Sequence, residues 1–193
     1  MTDTIFLVLD MENDLIHADG PNGKSGYGEQ VSSRGIIKHT RTAIDKARAV
    51  GIPIGFVRVG FSPDYRECPA DSPIFSGARK NGLLKLGAWG TEIHPDLGKQ
   101  DKDFDIVKHR VSPFYATNLE VVLRMLGTRH IICCGVSTNA VVQAMVREGH
   151  DRDFRITVLE DCCCALTAEE HASAVQNLKR FCSWSNSVEY AFE

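Results

Sequence analysis

Residues 131–145 read IICCGVSTNAVVQAM, and the order of residue types in that stretch decides the fold. Ile131 to Cys134 is a continuous apolar run, as expected of a strand covered on both faces. Gly135 supplies a turn, and Thr138 or Asn139 is suited to cap a helix reaching about Glu148. Strand, glycine turn and helix in so short a space form the repeating unit of a parallel sheet.

Upstream, Thr4 to Leu9 (TIFLVL) reads as a first buried strand ending at Asp10. Apolar residues then recur at helical spacing from about Gln30 to Val50, where Gly51 and Pro53 stop the pattern. Ile54 to Val59 and Phe104 to Val107 read as further strands, followed by a helix from Thr117 to Leu126. Downstream come a strand at Ile156 to Leu159, a helix from about Thr167 to Leu178 and a short strand near Phe181 to Trp184. This alternation predicts an α/β fold: a three-layer α/β/α sandwich around a mainly parallel, doubly wound, Rossmann-like sheet. At 193 residues the chain has the length of one domain, taken as 1–193. The exception to the alternation is a long loop at about residues 60–103, which holds Pro63, Pro69, Pro73 and Pro95 and no sustained period. Loops of that length are usually lids, binding loops or interface arms.

Composition narrows the function classes. Hydrophobic residues make up 43% and charged residues 24%, the mixture of a globular protein. The net charge of -3 is scattered, with no basic stripe, which speaks against nucleic acid as a partner. No apolar stretch approaches a membrane span, and MTDTIFLVLD lacks the basic residues of a targeting segment, so a cytoplasmic location is expected. The seven cysteines include adjacent neighbours and show no CxxC spacing, which makes buried, reduced thiols the expectation rather than disulfides or a metal site.

Two charged residues end strands: Asp10 after TIFLVL, and Lys108 after DFDIV. Ligands in such folds bind beyond the carboxyl ends of the strands, so both are candidates for the crevice. A carboxylate and an ammonium meeting there would keep each other charged and could position a substrate or pass a proton. A turn or cap residue, or a plain ion pair, would leave the same pattern. The turn at Gly135 to Asn139 offers backbone N–H groups at a helix start, suited to an anion or a developing oxyanion. The Walker lysine and the GxGxxG spacing are both missing, so no nucleotide cofactor is suggested.

Taken together, LVLDMEND (7–14), LGAWGTEIHPDL (86–97), VKHRVSPFYATNLEVVL (107–123) and the stretch from Cys134 to Ala165 resemble the isochorismatase-like superfamily over almost the whole chain. That resemblance implies a catalytic aspartate at Asp10, a lysine at Lys108, and a non-proline cis peptide between Val136 and Ser137 that aims backbone donors at the substrate. It implies a pocket aromatic at Phe114 and a homo-oligomer; Trp89, in the WGTE segment of the long loop, is a second pocket candidate, and plain packing is the alternative for both rings. The superfamily's cysteine hydrolases carry their nucleophile at the position of Val141, and a valine cannot attack a carbonyl. The metal site of nicotinamidases is built around a DxH pattern; here the matching region reads GFSPDYRE, so neither a metal nor a cofactor is expected. The expectation is a hydrolase of a small molecule, a vinyl ether, amide or ureide, working by acid/base chemistry at Asp10 and Lys108. The alternatives are a catalytically silent ligand-binding or assembly member, and an amidohydrolase with a displaced thiol, for which Cys134 is nearest.

Overall fold

The structure is a computed structural model that describes residues 3–192. Six strands form one all-parallel sheet: β1 (Thr4–Leu9), β2 (Ile54–Val59), β3 (Phe104–Lys108), β4 (His130–Val136), β5 (Arg155–Cys164) and β6 (Ser183–Ser185). Their spatial order is β3-β2-β1-β4-β5-β6. The chain thus builds outward from β1 in one direction, then crosses to β4 and builds outward in the other. Right-handed crossovers running in opposite directions place their helices on opposite faces, which gives the three layers. The reversal lies between β1 and β4, where a crevice opens at the strands' carboxyl ends.

β1 is buried along its whole length because every residue from Thr4 to Leu9 is covered by helices on either face. Two helices precede β2 in the first crossover: α2 (Gly26–Ser33) and α3 (Ile36–Ala49), after a short α1 (Asn13–Ile16). The sequence pattern predicts one helix here. The break falls at Gly35, whose φ of 61° lies in the left-handed region that glycine enters without steric cost. α3 buries Ile36, Thr40, Ala43, Ile44 and Ala47, one stripe at helical spacing.

The second half follows the predicted alternation with two corrections. β5 runs on past Leu159 to Cys164, because a register irregularity opposite Cys133 and Gly135 lets pairing resume at Gly135 with Cys163 and Val136 with Cys164. β6 begins at Ser183, two residues after the predicted start, because the Phe181 N–H still closes the end of the preceding helix on the Leu178 carbonyl. α5 (Leu119–Met125), α6 (Gln143–His150) and α7 (Ala168–Leu178) supply the other crossovers, with α4 (Ser76–Asn81) lying in the long loop. Thr167 caps α7 by accepting the Glu170 N–H.

The stretch at 60–103 is an arm with its own small core. Phe61, Tyr65, Phe75, Ala78 and Leu84 are buried together, with the Phe61 and Phe75 rings edge to face at 5.5 Å. It returns to β1's exit through short 3-10 turns at Trp89–Thr91 and Pro95–Leu97: the Asn13 N–H donates to the Glu92 carbonyl, and the His94 N–H to the Met11 carbonyl. The arm therefore roofs the crevice. Among the described residues, no helix is long and apolar enough to cross a membrane, and no disulfide forms among the seven cysteines.

Candidate active site

Asp10 leaves β1 with φ 54°, and its N–H donates to the Val57 carbonyl at 2.8 Å. The left-handed turn, which aspartate tolerates better than most residues, carries the carboxyl out of the sheet plane at the strand end. Lys108 ends β3, two strands away. Its long side chain spans β2, and Nζ reaches Asp10 Oδ2 at 2.8 Å and the Arg110 carbonyl at 3.1 Å. Both side chains are almost fully buried. Burial pushes the Asp10 carboxyl above its usual value, and the attraction and hydrogen bond of Lys108 oppose that shift without cancelling it.

The third side of the crevice is the turn after β4. Gly135 has φ 142°, and a Cβ there would stand 2.0 Å from the Leu9 carbonyl oxygen, so only glycine lets β4 run this close to the end of β1. The Val136–Ser137 peptide is cis. A single π-helical turn at Thr138–Val142 then leads into α6. The amides of Ala140 and Val142 both donate to the Ser137 carbonyl, at 3.1 and 3.3 Å, passing over Val141 between them. The turn is tied to α7: His171 Nδ1 is 2.8 Å from Thr138 Oγ1, His171 Nε2 is 2.6 Å from Glu160, and Asn139 donates to Glu170.

A cavity of about 220 Å³ lies between these parts. Asp10, Lys108, Val136, Ser137 and Val141 all line it, and the arm contributes Ile74, Phe75 and Leu84. Asp10 and Lys108 are its charged lining residues; most of the remainder is aliphatic or aromatic.

Four sequence expectations thus converge on one cavity: the aspartate, the lysine, the cis peptide region and the position of Val141. Three others lie elsewhere. Phe114 is buried and is not among the cavity's lining residues: its ring stacks with Phe154 at 6.3 Å and has the Arg152 guanidinium 4.4 Å from its centroid. Trp89 is 46% exposed on the outside of the arm, edge-on to His17, and its carbonyl accepts from Asn13. Cys134 faces α3, with Sγ 4.0 Å from Thr40 Oγ1; burial raises its thiol pKa, and it does not reach the cavity.

Two residues escaped the sequence reading. Tyr27, on α2, lines the cavity with Ser137; burial is the main reason its phenol is pushed up, and Ser137 opposes that shift. Nothing in its local sequence marks it, since contact with the turn is made only by the fold. Glu12 lies behind the ion pair, fully buried. Its signal was available: Asp10, Glu12 and Asp14 place three acids at alternate positions in a segment that also carries Met11 and Leu15.

The family model of the Isochorismatase domain matches residues 4–189. The chain belongs to the isochorismatase family. It is 32% identical over 180 residues to an uncharacterized isochorismatase family protein, YecD, of Escherichia coli O157:H7, covering 91% of this chain and 87% of that protein. It is 31% identical over 196 residues to a ureidoacrylate amidohydrolase, RutB, of Yersinia enterocolitica, covering 95% and 85%. Among solved structures, a cysteine hydrolase from Pseudomonas syringae pv. phaseolicola shares the fold with a TM-score of 0.85 at 19% identity, over 98% of this chain and 92% of that one. Isochorismatase-family members act as hydrolases.

Proposed function

We propose that this isochorismatase-family chain hydrolyses a small, uncharged molecule, a vinyl ether, amide or ureide, by acid/base chemistry at Asp10 and Lys108 without a covalent thiol step. The observation that carries this reading is the Asp10 carboxyl, held at the cavity by Lys108 and shifted upward by burial. A carboxyl so placed holds a proton at a higher pH than a free one and can give it to a vinyl ether carbon. Water then adds to the resulting oxocarbenium carbon, its proton passes back to Asp10, and the hemiketal falls to a carbonyl and an alcohol. With an amide or ureide, ionised Asp10 takes the proton of the attacking water and returns it to the leaving nitrogen as the C–N bond breaks and the tetrahedral intermediate collapses to a carboxylic acid and an amine.

The lining supports an uncharged substrate: Lys108 is the cation of the wall, and it is already committed to Asp10. Val141 supports the thiol-free route, since it stands on the wall where a nucleophile would, while Cys133, Cys134, Cys162 and Cys163 are fully buried in the sheet. The same valine favours a second reading, a silent member that binds ligand without turning it over. Self-association is also proposed, with exposed Val121 and Met125 on α5 as candidate contacts, to be checked by light scattering.

The test is a panel of matched vinyl ethers, amides and ureides in neutral and carboxylate forms. Turnover confined to neutral members, lost in Asp10→Asn and unaffected by iodoacetamide, supports the proposal. Binding without turnover favours the silent reading. Inactivation by iodoacetamide that Cys134→Ser prevents would overturn the thiol-free route.

A further inference from the structure

The segment after β1 places three carboxyl groups side by side, Asp10, Glu12 and Asp14, at 5%, 0% and 8% exposure. Two are satisfied. Asp10 Oδ2 takes the Lys108 ammonium, and Asp14 Oδ2 accepts the Leu84 N–H at 2.7 Å. Glu12 is different: neither of its carboxyl oxygens has a hydrogen-bond partner among the described residues. Its backbone is fixed by a bridge to Ile93 of the arm, and the side chain is fully buried.

The charged groups around Glu12 come from three directions. Its own segment brings Asp10 and Asp14; β3 brings Lys108; β2 brings Arg58. Both cations are engaged. Lys108 Nζ is held by Asp10 and the Arg110 carbonyl, and Arg58 forks onto Asp105 at 3.0 and 2.8 Å while also donating to the Thr91 carbonyl. From the arm, Glu92 is exposed and His94 lies tilted against His17 while its Nδ1 accepts the Asp96 N–H, and the Trp89–Thr91 turn carries no ionisable side chain. A third anion here would be buried, bare and beside two like charges.

We propose that Glu12 is a positioning residue of the site, kept as an uncharged carboxylic acid and in that form leaving the one ammonium of Lys108 to Asp10. Burial is the main force holding its proton, the Asp10 and Asp14 carboxylates add to it, and Lys108 and Arg58 oppose it. Ionisation of Glu12 would set two carboxylates competing for one Nζ and loosen the 2.8 Å contact that aims Asp10 into the cavity. The site therefore has an upper pH limit set by a residue outside its wall. The inference builds on Asp10 and Lys108 as the working groups, but its measurements require no turnover, so a silent protein would leave them intact.

Glu12→Gln keeps the shape and removes the proton. In infrared difference spectra at neutral pH, the wild type shows a protonated carboxyl carbonyl band that Glu12→Gln lacks. Because the folded-state value of Glu12 lies above the unfolded value near 4.5, the stability it contributes is complete below that pH and declines as pH rises. Thermal midpoints of the two proteins then coincide at low pH and separate in favour of Glu12→Gln as pH increases. Carbon-13 carboxyl titration of the wild type supplies a measurement that needs no variant: the Asp10 carbon responds at the pH where Glu12 ionises. Parallel stability curves, or Glu12 titrating in the ordinary carboxylate range, overturn the neutral acid. A high-titrating Glu12 with no response at Asp10 overturns the positioning role.

Discussion

Lys108 Nζ sits 2.8 Å from Asp10 Oδ2, with the two side chains 2% and 7% exposed, so each ion is the other's main compensation for lost water. Lys108→Met strands Asp10 among apolar neighbours, and breaking a buried pair in this way costs about 3 kcal/mol or more. Asp10 can escape part of the cost by taking a proton, which is easier at low pH. The destabilisation, read by urea unfolding, is therefore expected to grow as pH rises from 5 to 8, taken as about the usual working range. Adding Asp10→Asn restores part of the loss, a coupling that a double-mutant cycle measures.

Gly135→Ala is expected to be among the most damaging single changes. A Cβ would meet the Leu9 carbonyl oxygen at 2.0 Å, and φ 142° is unfavourable for any side chain. Backbone cannot yield as a flexible side chain would, so the two strands must part just where Asp10 and Ser137 face each other. The expected loss is about 3 kcal/mol or more by denaturant unfolding, with ligand binding lost together with it.

Val141→Cys puts a thiol on the cavity wall beside Ser137, where the native cysteines do not reach. The volumes are close, so stability should change by less than about 1.5 kcal/mol. The native thiols are buried or shifted upward, with Cys164 and Cys182 each pushed up to about 12 by burial. One new alkylation site, at residue 141, is the expected result of brief iodoacetamide treatment followed by peptide mass spectrometry. Protection by a neutral amide would show that the thiol shares the substrate's space, and equal labelling of the native cysteines would sink the prediction.

These particular residues also show what a sequence can and cannot disclose. Asp10 and Lys108 were legible because each ends a strand-like run, TIFLVL and DFDIV, and a charge at a strand's carboxyl end can project into the crevice. The sheet was legible because runs such as TIFLVL are short, apolar and rich in β-branched residues, as a doubly covered strand requires. The partners of the aromatic residues were not. Phe114 and Trp89 lie in segments that resemble the family, yet ring placement depends on Phe154, Arg152 and His17, which come from distant parts of the chain. The break at Gly35 was hidden because the apolar spacing continues across it while the backbone does not. Glu12 was legible in part: three acids at alternate positions stand in the sequence, but only the fold reveals that both nearby cations are taken.

The network behind the turn makes a final prediction. Glu160 is held down to about 2, first by the hydrogen bond from His171 and then by Arg34. Its folded value lies below the unfolded value near 4.5, so its contribution is present above that pH and lost as pH falls toward 2. Glu160 is partly exposed, so solvent screening makes this a modest term. His171→Ala removes the strongest partner of Glu160 and also the anchor of Thr138 at 2.8 Å. The variant's acid limb, followed as thermal midpoint from pH 5 to 2, should therefore be flatter than that of the wild type. Its amides at Thr138–Val142 should exchange hydrogen faster, because the turn has lost its tie to α7. A flatter limb with unchanged exchange would mean that His171 tunes Glu160 but does not hold the turn, and the cavity wall would then owe its shape to Gly135 and Ser137 alone.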